Sequence, residues 1–175
     1  MFSDPKRNIE QFGLIPGMKV ADLGAGSGFY ALASAQTVGN SGRVFAIDIQ
    51  KDLLTKLKNI ANHEKMHNIE TIWGDLEMVG GTRLQDGSVD AVIISNILFQ
   101  ISNKDQFFQE VRRILKSNHH ALLVDWADSY NGLGPPKADI ITESSAKKLF
   151  EEKNFEFVRS ISAGDHHYGM IFNKK

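Results

Sequence analysis

The stretch Val20-Ala21-Asp22-Leu23-Gly24-Ala25-Gly26-Ser27-Gly28-Phe29 constrains the fold of this chain more than any other. An apolar run ends in an acid, crosses a turn with glycines at 24, 26 and 28, and opens a helix-forming sequence. Strand, tight turn and helix in that order begin a parallel β-α-β unit. The glycines let the backbone turn sharply and approach a ligand with no Cβ in between. A helix starting at Ser27 or Gly28 aims its free N–H groups and positive dipole end at the same point. The turn is expected to hold a nucleotide-like cofactor.

Spacing narrows the choice. A dinucleotide fingerprint reads G-x-G-x-x-G. Counted from Gly24, its third glycine falls on Phe29, and the extra glycine stands at 28 instead. A P-loop would end in Gly-Lys-Ser/Thr, which this segment lacks.

Downstream, short β-branched runs alternate with helical patterns, the signature of a parallel sheet covered on both faces. The pattern predicts strands over 18–23, 43–48, 69–73, 89–95, 120–126, 155–162 and 167–173. Leu53, Leu57, Ile60 and Ala61 repeat at helical spacing, as do Phe107, Val111, Ile114 and Leu115. Ala146, Leu149 and Phe150 mark a shorter helix with Thr142 as its cap. A leading helix begins at Asp4-Pro5 and stops before Pro16-Gly17. The last two strands are separated only by residues around Ala163-Gly164-Asp165, which predicts an antiparallel hairpin. A length of 175 residues suits one domain over 1–175.

Bulk properties exclude several function classes. A net charge of -1 leaves no electrostatic footprint for gripping nucleic acid. No stretch approaches a membrane span, and Met1 to Asn8 is too polar for a signal peptide. There is no cysteine, which removes thiol chemistry and suits a reducing compartment. The expectation is a cytoplasmic protein.

The D-x-G-x-G-x-G pattern from Asp22 to Gly28, with the closing hairpin, resembles class I S-adenosylmethionine (SAM)-dependent methyltransferases over nearly the whole chain. Within that class it looks like the small methyltransferase-domain type that includes quinone-biosynthesis C-methyltransferases. The resemblance implies an α/β Rossmann-like fold: a seven-stranded, mostly parallel sheet with an antiparallel last strand and helices on both faces. It implies SAM as cofactor, held at the glycine turn by Asp22, Gly24, Ala25, Gly26 and Gly28, with Phe29 and Tyr30 packed nearby. Asp48 ends the second strand beside Ile49, where an acid can accept both ribose hydroxyls. A helix N-cap is the competing reading of Asp48. In the resembling family, Gly74-Asp75-Leu76 would meet the adenine; an ordinary turn is the alternative. Ser95 and Asn96 end the fourth strand at the carboxyl edge, where open α/β folds bind ligands. The resemblance puts that edge beside the methionine part of SAM.

The acceptor site is argued from topology. An antiparallel last strand begins at the carboxyl edge, so its hairpin tip should overhang the pocket near Asp125 and Trp126. Asp125, His166, His167 and Tyr168 are the candidate catalytic residues, with one histidine as base because imidazole titrates near neutrality. Strand alternation sends His166 and His167 to opposite faces. Glu110 to Lys116 resembles the helix before the fifth strand. That helix usually ends in Pro-Gly-Gly; here Ser117-Asn118-His119-His120 follows, with Asn118 able to turn left-handed and both histidines at the surface.

His63-Glu64-Lys65-Met66-His67 spells the H-E-x-x-H zinc motif. It lies where the helix after the second strand runs off the sheet, with Asn68 as its cap and no third ligand, so no metal is expected. The methyl acceptor stays open among small molecules, lipid head groups and protein side chains. An open pocket leaves room for a homo-oligomer whose second subunit supplies a lid. A non-catalytic SAM-binding partner protein and an aminopropyltransferase are the competing functions on the same fold.

Overall fold

Strand β1 (Lys19–Leu23) is apolar because both its faces are covered: Val20, Ala21 and Leu23 are fully buried. It pairs in parallel with β2 (Arg43–Asp48) on one side and β4 (Val89–Ser95) on the other. β3 (Ile69–Trp73) extends the sheet beyond β2, and β5 (Leu115–Trp126) extends it beyond β4. β7 (His167–Lys174) runs antiparallel between β5 and β6 (Phe155–Ile161), giving the order β3-β2-β1-β4-β5-β7-β6. The computed structural model describes residues 3–130 and 132–175; Met1 and Phe2 of the polar leading stretch lie outside them.

The winding direction reverses between β1 and β4, which opens a crevice at their carboxyl ends. Helices α1 (Pro5–Phe12), α2 (Phe29–Val38) and α3 (Lys51–His63) cover one face of the sheet through Ile9, Tyr30, Ala31 and Leu57. Helices α4 (Lys104–Ile114) and α5 (Glu143–Glu152) cover the other through Phe107, Phe108 and Phe150. Phe150 stacks on Phe172 at 4.1 Å and meets Phe108 edge-on at 4.8 Å. Such pairs add about 0.5–1.5 kcal/mol each beyond area burial. No helix among the described residues is long and apolar enough to cross a membrane.

Six strands start and end within one residue of the positions expected from the sequence. β5 does not. It begins at Leu115 rather than 120, and α4 ends at Ile114, so Leu115 belongs to the strand and not to the helical stripe. Leu115 pairs with Val89 and His120 with Ala91, so residues 116–119 bulge outward. Asn118 takes the left-handed conformation there at φ 60, and a bulge replaces the expected turn. Lys116 anchors it on the Asp90 carboxylate at 2.5 Å.

Two other expectations are corrected. The buried stripe of α3 is Leu54, Leu57 and Ala61, while Ile60 is exposed and Leu53 half-buried. Asn68 does not cap that helix. α3 closes at Glu64, with Lys65 left-handed at φ 57. Asn68 is buried and donates its side-chain amide to Ala35 O at 2.8 Å and Gly39 O at 2.9 Å, so it caps α2. The H-E-x-x-H letters therefore straddle a helix end, with His63, Glu64 and His67 exposed. No group of three metal-ligating side chains occurs among the described residues.

Candidate cofactor and acceptor sites

The glycine turn is zipped onto β2: the N–H groups of Gly24 and Ala25 both donate to Ile47 O, at 2.8 and 3.0 Å. Gly24, Gly26 and Gly28 all have positive φ, which only glycine adopts without strain. Gly28 is the N-cap of α2, and a Cβ there would lie 2.2 Å from Leu57 Cδ1. It serves the packing of α2 against α3 and does not line the cavity that the turn borders.

That cavity has a volume of about 460 Å³, within the usual range for a small-molecule site. Asp22, Asp48, Asp75 and Glu77 line it, and no lysine, arginine or histidine does. Asp22 is 1% exposed, and its Oδ2 has no hydrogen-bond partner. Burial pushes its pKa up to about 7; the Ala31 N–H works against this and the Asp48 charge adds to it. Asp48 accepts from Gly26 N through Oδ2 and from Gln50 N through Oδ1, both at 2.8 Å. It ties the glycine turn to the start of α3, whose N-cap is Gln50. Two of the roughly four acceptor positions of its carboxylate are used in this way.

Asp75 and Leu76 lie on a loop that folds back on itself: a Cβ on Gly74 would lie 2.3 Å from Gly81 O. Gly74 thus shapes this wall without lining the cavity. The loop is held from below by Glu110, which accepts from Gly80 N at 2.7 Å and Thr82 N at 3.0 Å. Burial opposes the Glu110 charge, but the Arg113 guanidinium, Thr82 and these N–H groups prevail and lower its pKa to about 2. Sequence reading treated that helix as scaffold. A glutamate among apolar helix positions was its only signal.

Ser95 and Asn96 line the cavity from the end of β4. Asn96 is left-handed at φ 54, and its side-chain Oδ1 is buried without a partner. Tyr30 reaches the cavity from α2, with its phenol bonded to Ser3 Oγ at 3.1 Å and Asn8 Nδ2 at 2.8 Å. Ala25, Phe29 and Ile49 complete the expected lining, Phe29 and Ile49 with 69% and 61% of their surface exposed. Ser3, Pro5, Glu77, Ile97 and Gln100 also line it and were not expected. The N-terminal pair carries no motif, and its placement depends on Asn8, a polar residue buried within α1.

None of the four candidate catalytic residues lines this cavity. β7 does start beside the end of β5, with His167 opposite Trp126 and Tyr168 opposite Asp125. Yet Asp125 is 3% exposed and accepts from Leu98 N at 3.1 Å and Trp126 N at 2.8 Å, so it pins the loop after β4. Burial raises its pKa to about 6. Tyr168 is buried and donates to Ile141 O at 2.9 Å. His167 donates from Nδ1 to Asp165 O at 3.0 Å and lies 4.3 Å from the Trp126 ring; burial lowers its pKa. His166 precedes the strand, left-handed at φ 64, and faces a separate recess with Asp128. His119 and His120 lie at the opposite, amino end of β5, at the surface as expected.

A doubly wound sheet closed by a reversed strand, with a glycine turn and an acidic cavity at its switch point, defines the class I methyltransferase fold. Residues 14–171 match the family model described as a methyltransferase domain, and the chain belongs to that family. It is similar to a SAM-dependent methyltransferase of Aquifex aeolicus, with 26% identity and a TM-score of 0.89 over 98% of this chain and 89% of that one. The ubiquinone/menaquinone biosynthesis C-methyltransferase UbiE of Hahella chejuensis is 27% identical over 78% of this chain and 54% of its own length. The arsenite methyltransferase of Halobacterium salinarum is 28% identical over 64% of this chain and 28% of its own length. The chain thus spans about half or less of these two curated relatives. The cofactor of the family is SAM. The cavity fits it: buried, unpartnered acceptor atoms on Asp22 and Asn96 and an acidic lining suit a ligand with an ammonium and a sulfonium.

Proposed function

We propose that this chain transfers the methyl group of SAM to an organic acceptor nucleophile bound at the carboxyl edge of the sheet. The observation that carries this reading is the cavity at the glycine turn, lined by four carboxylates and by no basic side chain. Two phosphates of a dinucleotide would find no cation there and would face those carboxylates, whereas a ligand with two positive centres is attracted.

Asp22 Oδ2 is assigned to the ammonium of the donor, the strongest unmet acceptor in the cavity. Asp48 takes the ribose hydroxyls with its two remaining acceptor positions. Asp75 and Leu76 meet the adenine, with Ile49 and Phe29 as apolar walls for a flat ring. SAM supplies a methyl carbon already activated by the attached sulfonium. The residues of this chain then have to align two reactants, and alignment alone contributes about 7–11 kcal/mol to such a reaction. No histidine or lysine lines the cavity as a base, which supports an acceptor that arrives as a competent nucleophile. The chain has no cysteine, so thiol-dependent arsenite chemistry is not the reading favoured.

Calorimetry on the purified chain tests the assignment. SAM binds and NAD does not; Asp48→Ala weakens SAM binding at least about tenfold, a loss of about 1.4 kcal/mol, the size of one charge-assisted hydrogen bond. His63→Ala leaves it unchanged. A chain that binds NAD in preference to SAM sinks the proposal. Release of demethylated nucleotide with any acceptor separates an enzyme from a SAM-binding partner protein.

A further inference from the structure

The carboxyl edge carries a second recess, of about 420 Å³, that shares no lining residue with the cofactor cavity. It lies between the 127–142 connection and the tip of the β6–β7 hairpin. His166 donates from Nδ1 to Asp128 Oδ1 at 2.6 Å, a short, charge-assisted distance. The Tyr130 ring stacks on the imidazole at 4.3 Å with 22° between planes. Ala127 N donates to His166 O at 2.8 Å, and Tyr168 clamps Ile141 on the far side of the connection. These contacts fix the imidazole orientation and leave Nε2 as its second polar atom.

The charges of this recess are the reverse of the cavity's. Its one carboxylate, Asp128, is engaged by His166. Lys137 lines it and makes no ion pair among the described residues, and Ser129 and Thr142 add hydroxyl groups. The two sites are joined by strand register: Ser95 pairs with Val124 on β5, and Val124 with Gly169 on β7. Two strand spacings set them roughly 10 Å apart.

We propose that this recess is an anion-binding acceptor subsite, in which Lys137 and His166 hold a carboxylate or phosphate at one end of the acceptor. This rests on the methyl-transfer reading above. The nucleophilic end then lies toward the cofactor cavity, roughly 10 Å away. Four carboxylates there repel the anionic end and disfavour the reversed orientation. The substrate class is an elongated molecule, acidic at one end and nucleophilic at the other.

Backbone-amide NMR of the full chain, titrated with benzoate, phenyl phosphate and the neutral analogue benzamide, tests this. Saturable shifts at Ser129, Tyr130 and His166 are expected with benzoate or phenyl phosphate, and which of the two binds distinguishes carboxylate from phosphate. Lys137→Ala weakens that binding about fivefold or more, the loss of one ion pair of about 1 kcal/mol. Benzamide gives no shifts there. Equal binding of benzamide, shifts confined to the cofactor cavity, no binding at all, or an unchanged affinity in Lys137→Ala each overturns the proposal. SAM calorimetry on the same samples reads the methyl-transfer assignment separately: Lys137→Ala leaves SAM affinity unchanged, and failure of the unmodified chain to bind SAM counts against that assignment alone.

Discussion

Asp22 sits where its own charge is disfavoured. Its pKa in the folded chain, about 7, lies above the ordinary 3.8 because burial penalises the carboxylate. A raised folded pKa contributes stability that is complete below 3.8 and is lost as pH rises through about 7. A bound ammonium reverses the balance by favouring the ionised form. SAM affinity should therefore be full above pH 7 and fall as acid protonates the free site. The α-amino group of the ligand, with a pKa of about 7.7–8.0, stays charged in that range. Between about pH 7 and pH 5.5 the Kd is expected to rise roughly tenfold, close to one decade per unit below the free-site pKa. Asp22→Asn should bind more weakly at pH 7 and show a flat profile. Calorimetric titrations at four pH values decide it, and an equally steep profile in the variant would assign the titration elsewhere, with Asp48 the nearest other carboxylate. Glu110 illustrates the opposite sign. With its pKa lowered to about 2, it contributes stability present above 4.5 and lost only in strong acid.

Helix α2 carries Phe29 and Tyr30 into the cavity and is closed by a residue from a distant part of the chain. Asn68→Ala would strand Ala35 O and Gly39 O, and buried unpaired groups cost about 1–3 kcal/mol. For a chain of this size that lowers Tm by about 2–4 °C per kcal/mol. Thermal unfolding should show a drop of several degrees for Asn68→Ala and none for His63→Ala or His67→Ala, whose side chains are exposed. An unchanged Tm for Asn68→Ala would mean water replaces the cap. The same residue shows why parts of the fold were illegible. Strands announce themselves by local composition, and six of them fall where period and β-branching put them. An asparagine before a strand reads as a cap for the helix just behind it, because sequence displays neighbours and not the helix 33 positions away. β5 was misread for a related reason. Leu115 fits the helical stripe, and only its pairing with Val89 shows that the strand has already begun.

Across the whole molecule, the donor half of the site was legible and the acceptor half was not. The glycine turn, Asp48 and Asp75 are local strand-end signals, each tied to the strand it terminates. His166 depends on Asp128, 38 positions away, across a connection with no periodicity to read. A net charge of -1 likewise conceals an acidic cavity at one end of the carboxyl edge and Lys137 with His166 at the other. This separation has a measurable consequence. Near neutral pH, SAM carries one more positive charge than its demethylated product, and the cavity offers only carboxylates to meet it. Raising salt from about 0.02 M to 0.5 M shortens the Debye length from roughly 20 Å to about 4 Å, which screens the rim of an open cavity. The affinity of the donor should then fall several-fold while that of the product changes less, with both measured by calorimetry at constant pH. Parallel losses would mean that shape and hydrogen bonding alone retain the donor; a steeper loss for the donor means the carboxylates read the sulfonium charge, and its disappearance on transfer helps release the product.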